Sequence, residues 1–341
     1  MNILVIQLRQ LGDILLTTPV IRALKSRDPS LKVDVMTYPM GRLIIPGNPL
    51  VHKHLIAPQK GVVDSLRFVR DLQKHSYDAV IDFMSTPRSA LIARLARSEK
   101  RISFDSGRAR LFTDVIPRDG ASEYIVRQKF RLLAPLGIQS NDIRLMLPWT
   151  EGDAGVAVMH LSEHRYLAES LRRVMLSPTH RRAERRWPME SWAKLATWLE
   201  KEQNASVIWA WGPGEEAEVS AIRLMANGAG TMAPRTTFRE LAAFVASCDL
   251  FIANSNGPSH IAVAVNTPSI QLHGPTSAIS WCPQTARHQA VQKATMAEIE
   301  LSEVASLVES MWPLVDRGAS SLRGHGAITN ADDVWVIRPE L

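Results

Sequence analysis

Short apolar runs and amphipathic stretches alternate along the first half of the chain. The β-branched run at residues 3–7 predicts a strand, and a Gly-Asp turn separates it from an amphipathic helix at 14–25. Further strands are predicted at 32–37 and 79–83, and a helix at 89–97. This alternation is typical of a parallel sheet covered by helices, so the first half is predicted to be an α/β unit.

The second half repeats this plan without repeating the sequence. Its predicted strands lie at 174–177, 205–211, 250–253 and 269–272. Its predicted helices lie at 189–203, 215–227, 237–246 and 259–265. A chain of 341 residues exceeds what one hydrophobic core usually holds, so two domains are expected.

The stretch between the two halves locates the expected domain boundary near residue 170. An acidic segment with Pro and Gly at 141–153 precedes a predicted connecting helix at 156–172. The expected divisions are an N-terminal domain at 1–170, a C-terminal domain at 171–318 and a partly flexible tail at 319–341. Within the tail, the Gly- and Ser-rich stretch 317–330 is expected to be loose, and 334–337 to pack as an extended piece.

Composition and charge narrow the class of protein. With 45% apolar and 22% charged residues, the chain resembles an ordinary globular protein. Its net charge of +6 favours an anionic partner without choosing among phosphate, nucleic acid and membrane. Cys248 and Cys282 fit neither a metal-binding spacing nor a disulfide framework, in agreement with a reducing compartment. The chain shows no signal-peptide pattern and no run of ~18 apolar residues, so neither export nor membrane insertion is expected.

Several common enzyme motifs are missing from the sequence. The first strand is followed by QLRQLGD rather than GxGxxG, which argues against a dinucleotide-binding first unit. The chain has no Walker sequence, no HExxH and no GxSxG. The sequence therefore lacks the motifs on which kinase-like, metalloprotease and hydrolase activities depend.

Four polar, Gly-containing segments follow the predicted strands of the second half. They read HRRAERRWP, WGPGEE, NSNGPSH and HGPT. Because loops at the carboxyl ends of parallel strands meet at one edge of a sheet, we expect these segments to line one pocket. Gly257 would let the backbone approach a ligand, and a helix starting near Ser259 would direct its amides at a diphosphate.

The charged residues of these segments each have a functional and a purely structural interpretation. Arg185 and Arg186 present planar forks that suit phosphate oxygens, but a basic loop can also be simply solvated. His260 can donate to a phosphate or fill a helix start. Glu215 can hold ribose hydroxyls or stabilise a helix N-terminus. The residue types alone leave both interpretations open.

Asp13 lies in the loop that follows the first predicted strand. Ligands of open α/β sheets bind at this edge, which makes Asp13 a candidate for reaction chemistry. Aspartate is also a favoured N-cap residue that stabilises a helix start whatever the protein does. Position alone supports both roles.

Longer blocks of sequence identify a family. The opening ILVIQLRQLGDILLTTPVIRALK closely resembles that of the lipopolysaccharide heptosyltransferases, the ADP-heptose-using glycosyltransferase family 9. Similar blocks follow at DFMSTPRSALIARLARSEKRISFD, EYIVRQKFRLLAPLGI, RRWPMESWAKLATWL, APRTTFRELAAFVASCDLFIANSNGPSHIAVAV and QLHGPT. The resemblance spans roughly residues 1–285.

The resemblance implies a GT-B architecture, an α/β fold of two doubly wound Rossmann-like domains facing a central cleft. It implies an inverting transfer of heptose from ADP-heptose, with the acceptor held by the first domain and the nucleotide sugar by the second. The implied acceptor is the acidic, lipid A-linked inner core of lipopolysaccharide, and nucleic acid is not an expected partner. We therefore expect a bacterial, cytoplasmic enzyme that can contact the inner membrane peripherally at its cytoplasmic face. Candidates to meet the acidic acceptor are Arg88, Arg94, Arg101 and Arg108.

The resemblance also assigns individual residues. Asp13 matches the aspartate of the family's LGD motif, the proposed general base for the acceptor hydroxyl. Arg185 stands where relatives usually carry a lysine that steadies the donor phosphates, so the charge is kept and the geometry changes. Donor contacts implied by the family fall on Glu215, Thr236, Ser255, Asn256, Gly257 and His260.

Ser255 departs from the family pattern. Relatives commonly carry an aspartate here, within Asn-Asp-Ser/Thr-Gly or Thr-Asp-Thr-Gly, whereas this chain reads Asn-Ser-Asn-Gly. The change removes a carboxylate that could contact the donor or an associated cation, so no metal ligand is assigned and neither Mg²⁺ nor another cofactor is expected to be required. Two alternatives stay open: transfer from a different nucleotide sugar, and a degenerate relative that binds a nucleotide or glycolipid without transfer.

Overall fold

The computed structural model describes residues 1–118, 122–164, 172–315 and 336–337. Contacts between Cα atoms divide the chain into two units, Met1–Met146 and Leu147–Leu341. Each unit contains a six-stranded parallel sheet, which confirms the predicted α/β class.

In the first unit, the first strand of the chain lies near the centre of the sheet. Its strands are β1 Asn2–Ile6, β2 Lys32–Thr37, β3 Lys53–Ile56, β4 Ala79–Asp82, β5 Lys100–Phe104 and β6 Asp114–Ile116. Their order is β3-β2-β1-β4-β5-β6. The helices are α1 Leu11–Leu15, α2 Thr18–Arg27, α3 Val62–Leu72, α4 Pro87–Leu95 and α5 Ile125–Phe130, with 3₁₀ turns at Pro39–Leu43, Ala109–Leu111 and Arg131–Leu136. The apolar residues of β1 are buried without alternation because both faces of a parallel sheet are covered.

The second unit repeats the same winding. Its strands are β7 Trp149–Thr150, β8 Arg173–Ser177, β9 Ser206–Trp209, β10 Thr231–Met232, β11 Leu250–Asn254, β12 Ser269–His273, β13 His288–Gln292 and β14 Val336–Ile337. The main sheet has the order β10-β9-β8-β11-β12-β13, and β14 pairs with β7. The helices are α6 Glu151–Glu163, α7 Met189–Lys201, α8 Glu216–Met225, α9 Phe238–Ala246, α10 Gly257–Ala264, α11 Ala278–Trp281 and α12 Leu301–Val315, with 3₁₀ turns at Ala183–Arg185 and Met296–Glu298.

The core of the second unit is rich in large side chains. Trp187 and Trp192 are buried and meet edge to face, with ring centroids 5.2 Å apart. The indole N–H of Trp187 donates to the carbonyl of Ile299 at 3.0 Å. Burial of these rings fixes the chain that leads out of the basic segment at 180–186.

The prediction of one continuous helix at 14–25 is wrong, because two helices occupy this stretch. Helix α1 ends at Leu15, and α2 begins at Thr18 with a proline in its first turn. Proline has no N–H and is tolerated at a helix start, so Pro19 favours a new helix over a continued one. The hydroxyls of Thr17 and Thr18 donate to the carbonyls of Asp13 and Leu15 at 2.8 and 2.7 Å, which satisfies the end of α1.

The connecting helix predicted at 156–172 is wrong in its bounds. Helix α6 begins at Glu151 because Thr150 and Asp153 form a capping box, in which each side chain accepts the other's backbone N–H. It ends at Glu163, and residues 165–171 lie outside the described part of the chain. The division between the units at Met146 falls earlier than the predicted boundary, since α6 packs against α9 of the second unit.

The C-terminal tail is described over two residues. Val336–Ile337 forms β14, within the extended piece predicted at 334–337. The predicted loose stretch at 317–330 lies outside the described residues. Among the helices that are described, none has the length and apolar character needed to cross a bilayer.

Candidate active site

Asp13 occupies the third position of α1, at the loop that leaves β1. Its Oδ2 accepts the backbone N–H of Gln10 at 3.3 Å and completes a capping box with that residue. The side chain is half-buried, and within the described part of the chain Oδ1 accepts no hydrogen bond. Asp13 therefore caps the helix with one oxygen, and its other oxygen can accept a further hydrogen bond.

A buried lysine from α5 supports this loop. The Lys129 amino group donates to Gln7 Oε1 at 2.9 Å, to Thr17 Oγ1 at 2.7 Å and to the Asp13 carbonyl at 3.1 Å. Those three bonds use all the donors of an ammonium group. Burial lowers the Lys129 pKa to about 8, while the charge of Asp13 opposes that shift. Lys129 thus joins the end of β1 to the starts of both following helices.

The neighbouring strand ends in a second buried carboxylate. Asp82 is fully buried and pairs in register with Ile6 of β1. Its Oδ1 accepts the Met84 N–H at 2.8 Å, and its Oδ2 has no hydrogen-bond partner among the described residues. Burial raises the Asp82 pKa to about 6. Neither Lys129 nor Asp82 was predicted, although Asp82 stands as a charge inside the apolar stretch AVIDFM.

In the second unit, Asn256 joins the loops after β8 and β11. Its Oδ1 accepts the Ser259 N–H at 3.1 Å and caps α10. Its Nδ2 donates to Ser177 Oγ and to the Thr179 carbonyl, both at 3.1 Å. Helix α10 therefore begins at Gly257, slightly before the start near Ser259 that was predicted.

Glu215 joins the loops after β8 and β9. One of its oxygens, Oε2, accepts the Thr179 hydroxyl at 2.7 Å and the Gly212 N–H at 2.8 Å. The residue stands immediately before α8, where a carboxylate also favours the helix dipole. Together with Asn256, Glu215 brings three of the four polar segments to one edge of the sheet.

The two adjacent arginines of the basic segment differ in their contacts. Arg186 donates to the His180 carbonyl at 2.5 Å and to Glu218 Oε1 at 2.7 Å. Arg185 Nε is buried and has no hydrogen-bond partner among the described residues. Burial lowers the Arg185 pKa, and the charge of Arg182 acts in the same direction. Arg186 donates to two partners within the fold, whereas Arg185 Nε has none in the described structure and the charge of Glu184 offsets part of the lowering of the Arg185 pKa.

His260 and His273 are two buried histidines at the carboxyl ends of the neighbouring strands β11 and β12. Burial lowers the His260 pKa to about 4, and its buried Nδ1 has no hydrogen-bond partner in the described structure. Burial also lowers the His273 pKa to about 4, and charges on His260 and Arg185 act in the same direction. Because β11 and β12 are paired, the HGPT segment lies next to the NSNGPSH segment. Both imidazoles are neutral at pH 7, but the ring nitrogens of His273 already contact Gln271 and Thr276, so only His260 keeps a nitrogen for a ligand.

The remaining predicted donor residues lie around the same edge. Ser255 is half-buried, and its N–H donates to the Leu272 carbonyl at 3.0 Å. A Cβ added at Gly257 would meet nothing within 4 Å, so the space before α10 is open. Thr236 is half-buried in the loop before α9. The indole N–H of Trp211 donates to the Ala233 carbonyl of this loop at 2.7 Å.

The four arginines proposed for the acceptor divide into two groups. Arg88, Arg101 and Arg108 donate to backbone carbonyls of neighbouring loops, whereas Arg94 is exposed on α4. The first three therefore hold loops in place, and each also carries a positive charge.

The edge of the second sheet has the chemistry of an anion site. The positive end of the α10 dipole, an open space at Gly257 and the unpaired Arg185 Nε favour a phosphate, although Pro258 has no N–H and the Ser259 N–H is already bound by Asn256. The loop at β1 in the first unit offers a carboxylate oxygen that can accept a proton.

Known proteins resemble the chain along most of its length. The model of glycosyltransferase family 9 (heptosyltransferase) matches residues 65–309. Lipopolysaccharide heptosyltransferase 3 of Escherichia coli is 28% identical over 290 residues, covering 80% of this chain and 83% of that protein.

Solved structures share the fold. E. coli ADP-heptose lipopolysaccharide heptosyltransferase II superposes with a TM-score of 0.75 at 20% identity, covering 92% of this chain and 99% of that one. E. coli heptosyltransferase WaaC with ADP-2-deoxy-2-fluoro heptose gives a TM-score of 0.69 at 20% identity, with 91% and 99% covered. These likenesses confirm the predicted GT-B fold class. The chain belongs to glycosyltransferase family 9, the heptosyltransferases, and is a glycosyltransferase.

Proposed function

We propose that this chain transfers a heptose from ADP-heptose to the inner core of lipopolysaccharide, with inversion at the anomeric carbon. Relatives named as lipopolysaccharide heptosyltransferases and a similar structure that holds an ADP-heptose analogue support this assignment. The observation that carries it is Arg185, whose buried Nε has no partner in the described structure, at an edge that also holds the start of α10.

The second unit is proposed to hold the donor. As the bond between the anomeric carbon and the phosphate oxygen breaks, negative charge grows on the departing ADP. Arg185 and the positive end of the α10 dipole are in place before the reaction, so they are proposed to stabilise that charge without reorganising. Neutral His260 can add a hydrogen bond to the same phosphate. Glu215 is proposed to meet the ribose.

The first unit is proposed to supply the base. Asp13 takes the proton of the acceptor hydroxyl while that oxygen forms a bond to the anomeric carbon, and ADP leaves with the electron pair of the broken bond. One displacement of this kind inverts the anomeric centre. Lys129 fixes the Asp13 backbone through the bond at 3.1 Å and so positions the carboxylate.

The transfer is proposed to need no metal cofactor. Ser255 stands where relatives commonly carry an aspartate, and a hydroxyl is a poor ligand for Mg²⁺. Arg185 supplies the positive charge that an ion would otherwise bring to the diphosphate. Turnover that is unchanged by excess EDTA is the expected result, and a requirement for added Mg²⁺ would contradict it.

We further propose that the enzyme acts in the cytoplasm and meets the inner membrane through α3. Val62, Val63 and Leu66 on this helix are 77%, 59% and 65% exposed. The exposed basic residues on and beside the helix outnumber the two acidic ones: Lys60, Arg67, Arg70 and Lys74 against Asp64 and Asp71. Apolar side chains flanked by basic ones suit the interface of an anionic bilayer. Sedimentation with anionic and neutral vesicles tests this contact, and equal recovery with both kinds of vesicle would refute the charge contribution.

The central experiment measures binding and turnover separately. Calorimetry with ADP, UDP and GDP should show the strongest binding for ADP. Incubation of ADP-heptose with a heptose-acceptor core oligosaccharide should then give product, with the anomeric configuration read by NMR. Transfer from another nucleotide sugar alone would overturn the donor assignment, and retention of configuration would overturn the single displacement.

A further inference from the structure

An apolar groove lies between helices α3 and α4 of the first unit. Its walls are formed by Phe68 and Val69 of α3 and by Leu91, Ile92 and Leu95 of α4. Within each helix the lining positions recur at spacings of three and four residues, so they share one face of that helix. Leu91 is 53% exposed, which shows that this α3–α4 groove opens to solvent.

The two polar side chains that line the α3–α4 groove are already bound within the fold. The Ser65 hydroxyl donates to the Gly61 carbonyl at 2.7 Å. Arg88 donates to the Gln59 carbonyl at 2.7 Å and to the Pro58 carbonyl. An extended peptide in the groove would therefore leave backbone N–H and C=O groups without partners, which is costly. A hydrocarbon chain has no such groups.

The volume of the α3–α4 groove suits one such chain. The groove encloses about 400 Å³. A methylene group takes up roughly the 30 Å³ of a water molecule, so this space holds a chain of about 13 carbons. A helix is ~10 Å across and would fit into the same volume with little more than one turn. The groove therefore matches an acyl chain better than a peptide in either conformation.

The charges around the α3–α4 groove favour an anionic head group on that chain. Arg88 donates to neutral carbonyls and has no ion pair among the described residues. Among the described residues that line the groove, none is acidic. The exposed residues on and beside α3 add an excess of basic over acidic side chains. Basic side chains beside an apolar surface attract anionic lipids.

We propose that the α3–α4 groove binds one acyl chain of an anionic glycerophospholipid, with Arg88 facing the phosphate. The inference rests on the proposed contact between α3 and the membrane, and it adds a defined site for a single lipid. A chain withdrawn into the groove would hold the enzyme at the bilayer more firmly than exposed side chains alone, because each buried methylene adds to the affinity.

The test uses the full chain and a series of monomeric lipids. Calorimetric titration with 1-acyl-lysophosphatidylglycerols of 8, 10, 12, 14 and 16 carbons, each below its critical micelle concentration, gives the affinity for each length. The affinity should rise by about fourfold per methylene while the groove fills. It should level off near 13 carbons, about the length that the groove holds. Lysophosphatidylcholine of the same length should bind about fivefold more weakly.

Two substitutions in the α3–α4 groove should change this series in different ways. Leu91→Asn should weaken binding of the 12-carbon lipid by at least about 10-fold, because the acyl chain would desolvate the amide without replacing its hydrogen bonds. Phe68→Ala enlarges the groove and should move the plateau to chains about three carbons longer. Leu43→Asn is the matched control, since Leu43 is an exposed leucine of the same unit outside the groove. It should leave the series unchanged.

A substitution outside the groove separates this site from the general membrane contact. Val63 is exposed on α3 and does not line the groove. Val63→Ser should reduce sedimentation with anionic vesicles and retain wild-type affinity for the lysolipids. Vesicle binding by a wild type whose lysolipid affinity shows no plateau, or that Leu91→Asn binds equally well, would overturn the groove and leave the membrane contact in place. Pairing of two copies that is lost in Leu91→Asn, measured by ultracentrifugation, would also overturn it.

Discussion

Lys129 in the first unit and Arg185 in the second differ in how their donor groups are satisfied. In the first, the Lys129 ammonium donates three hydrogen bonds to the loop that carries Asp13. In the second, Arg185 Nε is buried without a partner among the described residues, and so is Nδ1 of His260. Buried polar groups are nearly always hydrogen-bonded, so an unpaired one beside a proposed site is a candidate contact for a ligand. Lys129 is satisfied within the first unit, whereas Arg185 Nε and His260 Nδ1 can each take a further partner.

Substitutions in the two units should therefore affect different properties of the protein. Substitutions around Lys129 should alter the stability of the fold and the position of Asp13. Substitutions at Arg185 should alter ligand affinity and leave the fold nearly unchanged. The four predictions below test this separation, from the largest expected effect to the smallest.

Asp13→Asn should produce the largest loss. The amide cannot accept the proton of the acceptor hydroxyl, so kcat should fall by roughly 10²–10⁴, as is typical of a lost general base. The Kd for ADP should stay within about twofold, since ADP is assigned to the other unit. Steady-state kinetics and calorimetry measure the two quantities. Near-normal turnover would remove Asp13 from the mechanism.

Lys129→Met should abolish a pH dependence of stability. Because the folded-state pKa of Lys129 is lowered from 10.5 to about 8, the unfolded chain holds this proton more tightly. The penalty is full below pH 8 and is relieved as the pH rises towards 10.5, so wild-type stability should increase over that window. At about 1.4 kcal/mol per pKa unit the increase is on the order of 3 kcal/mol.

Urea unfolding of the wild type and the variant across this pH window measures the effect. Lys32→Met is the control, because Lys32 is exposed on β2. It should retain the wild-type increase. Parallel curves for the wild type and Lys129→Met would show that the buried lysine does not titrate as described.

Arg185→Met should weaken ADP binding by about 10- to 100-fold, the equivalent of one charge-assisted hydrogen bond of roughly 1.5–3 kcal/mol. Arg186→Met is the neighbouring control, since Arg186 is paired with Glu218. It should leave the Kd for ADP within about twofold and cost about 0.2–1 kcal/mol of stability, as expected for a partly exposed pair. Equal losses of affinity in the two variants would mean that the segment acts only through its total charge.

Asn256→Ala should have the smallest effect. The variant loses the cap of α10, which is worth about 1 kcal/mol of stability. Asn256→Asp keeps an acceptor for the Ser259 N–H but loses the donor to the Thr179 carbonyl. Urea unfolding should show near-wild-type stability for the aspartate, and calorimetry should show weaker ADP binding for both. Full ADP affinity in Asn256→Ala would show that this cap does not shape the donor site.

The alternation of elements was predictable because apolar periodicity reports directly on strands and helices. The predicted strands at 3–7, 32–37 and 79–83 agree with β1, β2 and β4 to within a residue or two. The split between α1 and α2 was missed because the apolar pattern runs across it. Pro19 gave the local signal, and the two threonine hydroxyls that close α1 could be seen only in three dimensions.

The contacts of individual charges could not be predicted from sequence. Lys129 lies 116 residues from Asp13 along the chain, and no periodic pattern links them. Arg185 and Arg186 are chemically identical neighbours, and only the position of Glu218 on α8 distinguishes the paired one from the unpaired one. The family resemblance pointed to Arg185, and the structure supplies a physical reason for that choice.

The hydrogen bonds that Glu215 makes within the fold limit how this residue can contact the donor. Because Oε2 already accepts both Thr179 and Gly212, only Oε1 remains for a nucleotide. A carboxylate with both oxygens free could meet the 2′- and 3′-hydroxyls with one oxygen each, whereas here both hydroxyls would have to share Oε1. Selectivity for ribose over its deoxy forms at this residue would then depend on that single oxygen, and the rest of the discrimination would fall to the adenine and diphosphate.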